Sequence, residues 1–331
     1  MADNAPVLIR LIVALLNLTV VFTVVIGLLG LVTGNALPLV ALLNDFLHWG
    51  LLLPLVMLPV MVGLRRPIEA GIKGAGALLF AALYGPLFLP NRAVPEADLT
   101  LRVATFNMGD QLTDGRSVVA FIQEEDLDII AVQELGEQQA QTLRDALSET
   151  YHLALYPAGI PGTGVISRYP IVEADLLYFV NPALPHAAVT IDVDGRDVSV
   201  YSMHPPPALW FQPGFPPIVY RSAQRYGDVQ ALVERLGPGP VIVMGDFNAT
   251  EHSADWQLLR EAGLRDAFWE QGTGFGMTFP QGGRYRGLDI PARLVRIDYV
   301  WASDVFIVQD AWVGPDLGSD HMPVLAELGW P

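Results

Sequence analysis

Residues 241–248 read VIVMGDFN. Four apolar residues in succession, without alternation, describe a strand buried on both faces. The run ends in a carboxylate and an amide, Asp246 and Asn248, flanking Phe247. Reading outward from it, LRVATFN (101–107) and LDIIAVQE (127–134) are two more strands of the same kind. Helical patterns follow each, at about 116–125 and 137–149. VTIDVDGRDVSVYSMH (189–204) alternates apolar and polar residues on either side of Asp194-Gly195, the signature of a β-hairpin. A helix is expected over 218–236, and Ser253 is placed to cap another through 262. RIDYVWAS (296–303) and HMPVLAEL (321–328) complete the strands of one large α/β domain.

These strands share a second property. They end or begin in Asn107, Glu134, His204, Asp246 with Asn248, Asp298, and Asp320 with His321. One polar residue at a strand end is ordinary turn chemistry. A whole set of them along one sheet edge converges on a crevice. Hard oxygen donors and histidines suit magnesium or manganese better than zinc. The chain has no cysteine, which excludes disulfides and thiolate chemistry.

The first 92 residues are of another kind. Residues 11–32, LIVALLNLTVVFTVVIGLLGLV, are uncharged and long enough at about 1.5 Å per residue to span a hydrocarbon core of about 30 Å. Apolar runs at 46–64 and 74–90 are expected to add two more spans, the first tolerating Pro54 and Pro59 through its helical neighbours. Arg10 precedes the first span, and Arg65, Arg66 and Lys73 lie between the second and third. Basic residues stay in the cytoplasm, so three spans deliver residues 93–331 to the extracytoplasmic side of the cell membrane. The expected organisation is a multi-pass helical anchor over 1–92 and a catalytic domain over 93–331.

Charge divides the same way. Residues 1–92 carry five basic and three acidic side chains, leaving 14 basic and 32 acidic for residues 93–331. A domain at -18 repels a phosphate backbone, so nucleic acid is not the expected partner.

In order, TFN (105–107), VQE (132–134), GVISRYP (164–170), SMH (202–204), GDFN (245–248), RID (296–298) and SDH (319–321) resemble the endonuclease/exonuclease/phosphatase superfamily. DNase I, abasic-site endonucleases, neutral sphingomyelinases and inositol-polyphosphate phosphatases belong to it. The resemblance covers residues 99–329 and implies a four-layer α/β sandwich, DNase I-like, that hydrolyses phosphoesters with a divalent metal, Mg2+ or Mn2+. Carried over by position, it implies Glu134 as principal metal ligand with Asn107 helping to hold metal or phosphate. It implies Asp246 orienting or activating the attacking water and Asn248 donating to a phosphate oxygen. His321 would be a general acid/base or transition-state contact steadied by Asp298 or Asp320. His204 stands where the DNase I and sphingomyelinase branches have histidine. The choice of general base, His321 or Asp246, and of one metal or two stays open.

After His204 comes PPPALWFQPGFPPIVY (205–220), with six prolines, Trp210 and Phe211, and no charge. It is either a rigid loop folded on the core or a greasy lip that touches the bilayer or a lipid chain. Arg221 and Arg225, four apart on one helix face, are candidates for reading a second phosphate, as are Arg168, Arg284, Arg286 and Arg296. A tethered, acidic catalytic domain resembles the bacterial branch of the superfamily associated with glycopeptide-antibiotic resistance, linked to hydrolysis of polyprenyl pyrophosphate carriers. A phosphorylated lipid in the lipid bilayer is therefore the expected substrate. A tethered nuclease, a phospholipase C or sphingomyelinase-type phosphodiesterase, and a non-catalytic membrane module are the alternatives.

Overall fold

The computed structural model describes residues 7–33, 37–89, 93–95, 97–211, 218–281, 283–285, 288–290 and 292–330. The chain divides into two compact units, Met1–Leu89 and Pro90–Pro331.

The first unit contains α1 (Val7–Thr33), α2 (Pro38–Asn44), α3 (Leu47–Gly63) and α4 (Pro67–Leu83), then a 3-10 turn at Gly85–Phe88. Among the described residues one helix is long and apolar enough to cross a membrane, Arg10–Thr33, with mean hydropathy 2.7. Helices α2 and α3 pass the same test only as a pair, bent by 56°. The expectation of three spans is thus reduced to one on length and composition. The third expected span begins at Pro67 rather than Gly74 and takes in Glu69 and Lys73. Lys73 is accordingly not in a connecting loop. It is buried within the unit, and its Nζ donates to Asn17 Oδ1 on α1 at 2.7 Å.

Small residues let these helices approach closely. A Cβ on Gly76 of α4 would lie 2.7 Å from Pro54 Cγ and 3.2 Å from Val20, and one on Gly50 of α3 would lie 2.7 Å from Thr23. Gly27 packs on Leu47 and Leu79. Ascending α1 through residues 20, 23 and 27 therefore ascends α4 and descends α3, so the three helices traverse the unit in alternating directions. The outer surface of α1 is apolar, with Leu15, Leu18, Val21, Phe22 and Val25 all exposed. The Thr19, Thr23 and Thr33 hydroxyls donate back to the carbonyls four residues earlier, which hides their polarity.

The second unit is built from β1 (Leu99–Asn107), α5 (Gly115–Glu124), β2 (Ile129–Gln133), α6 (Glu137–Leu147), β3 (His152–Tyr156), β4 (Thr163–Ser167), β5 (Ile171–Leu177), β6 (His186–Val193) and β7 (Arg196–Met203). There follow β8 (Leu209–Phe211), β9 (Ile218–Tyr220), α7 (Ala223–Arg235), β10 (Val241–Asp246), α8 (Ala254–Glu261), β11 (Arg265–Asp266) and α9 (Ala267–Gln271). The last elements are β12 (Gly283–Tyr285), β13 (Leu288–Ile290), β14 (Asp298–Ala302), β15 (Ile307–Val313) and β16 (Val324–Trp330). One six-stranded sheet has the order β15-β16-β1-β2-β4-β3 and the other β11-β14-β10-β7-β6-β5, with β8-β9 and β12-β13 as separate ribbons.

Alternation along the strands sets the layers. Ala104 and Phe106 of β1 and Ile130 and Val132 of β2 pack with Val118, Phe121 and Ile122 of α5 and Leu143 of α6. Val241 and Val243 of β10 and Tyr201 and Met203 of β7 pack with Val229 and Leu232 of α7 and Trp256 and Leu259 of α8. The intervening residues face the opposite sheet, giving helix, sheet, sheet, helix. Polar groups join the sheets at their interface: Gln133 Nε2 donates to Ser202 Oγ at 3.0 Å, and Thr163 Oγ1 meets the same hydroxyl at 2.9 Å. This is the α/β sandwich expected from the sequence.

The hairpin turn falls at Asp194 (φ 53°) and Gly195 (φ 84°), as the two-residue connection requires. Ser253 caps α8, its Oγ accepting from Trp256 N at 3.2 Å. Three expected boundaries move. The helix expected from 218 starts at Ala223, because Ile218–Tyr220 pairs with Leu209–Phe211. The strand expected from 296 starts at Asp298 and the one expected from 321 starts at Val324, leaving His321 in a connecting loop.

Candidate active site

Strands β1 and β2 run parallel in one sheet, and β7 and β10 run parallel in the other. Their carboxyl ends present Asn107, Glu134, His204 and Asp246. By alternation Asn107 lies on the face of β1 opposite Phe106, and Asp246 on the face of β10 opposite Val243, so both point between the sheets. They meet there: Asn107 Nδ2 donates to Asp246 Oδ2 at 3.0 Å and to Glu134 Oε1 at 3.3 Å. Asn107 Oδ1 accepts from Gly109 N at 2.9 Å. His204 Nε2 lies 3.7 Å from each of the same two carboxylate oxygens. Asp298, antiparallel partner of Asp246 in the ladder, completes the row from the start of β14.

Backbone conformation aims two of these groups. Glu134 and Asn248 both have φ near 50°, in the left-handed region that non-glycine residues occupy rarely and at a cost of about 1–3 kcal/mol. Gly245 is required by a close approach, since a Cβ there would fall 1.9 Å from the Met203 carbonyl oxygen on β7. Asn248 N donates to Asp246 Oδ1 at 2.8 Å, and Asn248 Nδ2 to Pro205 O at 3.1 Å.

His321 reaches the group from its loop. Its Nδ1 lies 3.0 and 3.2 Å from the two Asp298 oxygens, and its Nε2 3.7 Å from Asp246 Oδ2. The loop is pinned by Ser319, whose Oγ donates to Asn107 O at 2.8 Å and accepts from His321 N at 3.1 Å. The Phe279 ring lies against the imidazole with centroids 4.6 Å apart. The acidic group in contact with the His321 ring is Asp298, while the Asp320 carboxylate lies 3.5 Å from Ser319 Oγ.

Burial governs the electrostatics. It pushes the Glu134 carboxyl above its ordinary range, against the pull of His204 and Asn107. The Asp246 carboxyl is raised by burial and by Asp298, against His321 and His204. For His321 burial acts downward, but Asp298 and Asp246 outweigh it and raise the imidazole to about 10.

The arginines expected to read phosphate divide. Arg168 is held by Asp126 and Asp128 and lies just past β4, paired with the start of β2, at the opposite end from Glu134. Arg225 is buried, donates to Asn248 O and pairs with Asp255 at 3.0 Å, so it supports the loop from within rather than facing the crevice. Arg296 is buried against Asp266, donating at 2.9 and 2.8 Å. Arg221 is exposed between β9 and α7. Trp210 and Phe211 lie in β8, but their side chains, that of Arg284 and the whole of Arg286 are outside the described residues.

A family profile described as Endonuclease/Exonuclease/phosphatase family matches residues 104–321, spanning every residue of this cluster. The chain belongs to the endonuclease/exonuclease/phosphatase family. Members of the endonuclease/exonuclease/phosphatase family are phosphoester hydrolases, and this chain is one. A search of curated proteins returned no match. Among solved structures the fold is similar to a family protein from Leptotrichia buccalis C-1013-b, at 20% identity over 70% of this chain and 100% of that one, TM-score 0.53. A mannosyl-6-phosphatase from Bacteroides thetaiotaomicron VPI-5482 is similar at 19% identity, 70% and 100% coverage and TM-score 0.54. TDP2 from D. rerio, complexed with a single-strand DNA product, is similar at 14% identity, 70% and 100% coverage and TM-score 0.54.

Enzymes of the endonuclease/exonuclease/phosphatase family are generally divalent-metal dependent, and the donor set here fits a hard cation. Asp246, Asp298 and His321 are buried, and each offers a ligand atom within 4.8 Å of the others. Glu134 adjoins them through the shared Asn107 amide. Three carboxylates, two of them buried, gathered this closely need positive charge among them. Ser319, His186 and Asp228 also belong to the site's framework without having been evident in the sequence. Ser319 sits in the SDH motif, but His186 and Asp228 belong to no motif.

Proposed function

We propose that the chain is a membrane-anchored, magnesium- or manganese-dependent phosphohydrolase acting on a lipid phosphate or pyrophosphate, of the polyprenyl pyrophosphate carrier type. The observation that carries this reading is the union in one chain of a phosphoester-hydrolase site and a helix whose apolar surface is exposed along its length. An apolar rod of this kind needs hydrocarbon around it. The charge of -18 on residues 93–331 disfavours a polyanionic nucleic acid. The resemblance to the resistance-associated bacterial branch supplies the carrier lipid as the specific candidate.

In this reading Glu134 would hold the metal, with Asn107 ordering it against Asp246. A cation held there would supply Lewis-acid polarisation of the phosphoryl group. Asp246, at the centre of the cluster, takes the proton of the attacking water. Asn248 donates to a phosphoryl oxygen. His321, its Nδ1 committed to Asp298, offers Nε2 to the developing charge, and His204 does so from the other side. The uncharged sequence 205–220, with Trp210 and Phe211, would supply a lip for the lipid chain, and Arg221 a contact to a second phosphate.

A single crossing by α1, with Arg10 on the cytoplasmic side, also leaves the catalytic domain on the extracytoplasmic side. A protease-accessible tag at the carboxyl terminus of cells expressing the chain tests this. Protection of the tag in intact cells refutes it. For the chemistry, purified protein with magnesium, with and without chelator, is offered undecaprenyl pyrophosphate, sphingomyelin and plasmid DNA. Chelator-sensitive phosphate release from the first alone is expected. Nicking of the plasmid overturns the lipid reading.

A further inference from the structure

We propose that His186 and Asp228 are positioning residues for His204, acting through a single neutral tautomer of His186. The inference rests on the role given to His204 above.

Strand β7 ends at Met203, so the N–H of the next residue has no ladder carbonyl to meet. It donates instead to His186 Nδ1, at 3.1 Å, from the first residue of the neighbouring β6. Both residues are buried, so this N–H has no water to fall back on. An imidazole nitrogen that accepts a hydrogen bond carries no proton, and the ring proton of His186 must therefore sit on Nε2. That nitrogen faces Asp228 Oδ2 at 3.8 Å. Neither atom has a hydrogen-bond partner among the described residues, so each is the other's available counterpart. Asp228 is fixed in turn, its Oδ1 accepting from Asn181 N at 3.0 Å, and Phe179 lies against the His186 ring at 5.3 Å. Burial lowers the His186 imidazole, which keeps it neutral.

The tautomer matters because the other one places an N–H on Nδ1, directly against the His204 N–H. The backbone at 204 then has to move, and His204 Nε2 leaves its station between Glu134 and Asp246. A carboxylate facing Nε2 selects the tautomer that leaves Nδ1 bare. Asp228 lies on α7 three residues after Arg225, which holds the Asn248 carbonyl. One helix thus braces the loops on both flanks of Asp246.

The test uses the full chain in detergent with magnesium and the chromogenic esters p-nitrophenyl phosphate and bis(p-nitrophenyl) phosphate. His186→Leu removes the acceptor, and kcat is expected to fall about 10- to 100-fold, as for a misplacement of about 1 Å, with KM within about twofold. His186→Asn restores an oxygen near the Nδ1 position and is expected to recover most of the rate. Asp228→Asn turns an N–H2 toward Nε2 and is expected to lose rate as His186→Leu does. Ring-nitrogen NMR reports the tautomer without any turnover: Nε2 protonated and Nδ1 bare in the unsubstituted chain, the reverse in Asp228→Asn. An unchanged kcat in His186→Leu, equal losses in the Leu and Asn variants, or a proton on Nδ1 of the unsubstituted chain would each overturn the inference. Failure of the unsubstituted chain to turn over any phosphoester overturns the role of His204 instead, and the NMR result then still decides the tautomer.

Discussion

Removing Arg225 tests whether a buried charge supports both the stability and the chemistry of the site. Its guanidinium is 1% exposed and pairs with Asp255, itself fully buried, at 3.0 Å. Arg225→Met removes the Arg225 guanidinium from the buried Asp255 carboxylate. Breaking a buried pair from one side costs about 3–5 kcal/mol, whereas replacing both partners by apolar groups is often neutral. With a urea dependence of about 2–3 kcal/mol per molar for a domain of this size, the single variant should unfold about 1–2 M earlier. Arg225→Met/Asp255→Leu should return most of that shift. Turnover should not return with it, because the double variant still lacks the donor to Asn248 O that holds the left-handed turn after Asp246. Urea unfolding followed by tryptophan fluorescence, reported by Trp256 and Trp301 in the same core, gives the first quantity and steady-state hydrolysis the second. A single variant within 1 kcal/mol of the parent, or a double variant with full kcat, refutes the reasoning.

Three other outcomes follow from the same contacts. Glu134→Ala should abolish turnover while circular dichroism stays native, and excess chelator should do the same to the parent enzyme; a Glu134→Ala enzyme retaining activity contradicts the metal assignment. Arg168→Gln should leave turnover unchanged and cost about 1 kcal/mol, since Arg168 and Asp126 are solvated and the pair stands at the far end of the strand; a loss of kcat beyond twofold would place it at the site. Gly245→Ala should prevent recovery of folded protein, because the added methyl meets the Met203 carbonyl oxygen at 1.9 Å, and a soluble variant with native melting behaviour would show that the strands can part.

The strands with unbroken apolar runs were legible because burial on both faces leaves no other reading of VIVM or DIIAV. The Asp194-Gly195 turn was legible because both positions need positive φ. The site's polar row was legible because its members punctuate those runs. Where reading failed, the deciding contact lay far away in sequence. Ile218 and Val219 continue a helical pattern until Leu209–Phe211 pairs with them across the intervening loop. Arg221 and Arg225 share a face by spacing, yet Asp255, 30 residues on, draws the second inward. Lys73 looked like a loop charge because its partner, Asn17, lies 56 residues earlier. His186 opens an ordinary apolar strand, and nothing nearby announces that it receives an N–H from residue 204.

The position of β16 has a consequence for how the enzyme is made. That strand does not edge its sheet; it lies between β15 and β1, and Leu99 at the start of β1 pairs with Trp330 near its end. Ser319, 212 residues after Asn107, also closes the loop that carries His321. Neither the pairing of β1 with β16 nor the catalytic cluster can form until these last residues have been synthesised. Until then β1 presents a bare apolar edge, and the chain is inactive. Closure across so long a loop is slow compared with local helix formation. The first unit, whose contacts all fall within its own 89 residues, can therefore be in place before the catalytic unit exists, so the hydrolase acquires its activity last.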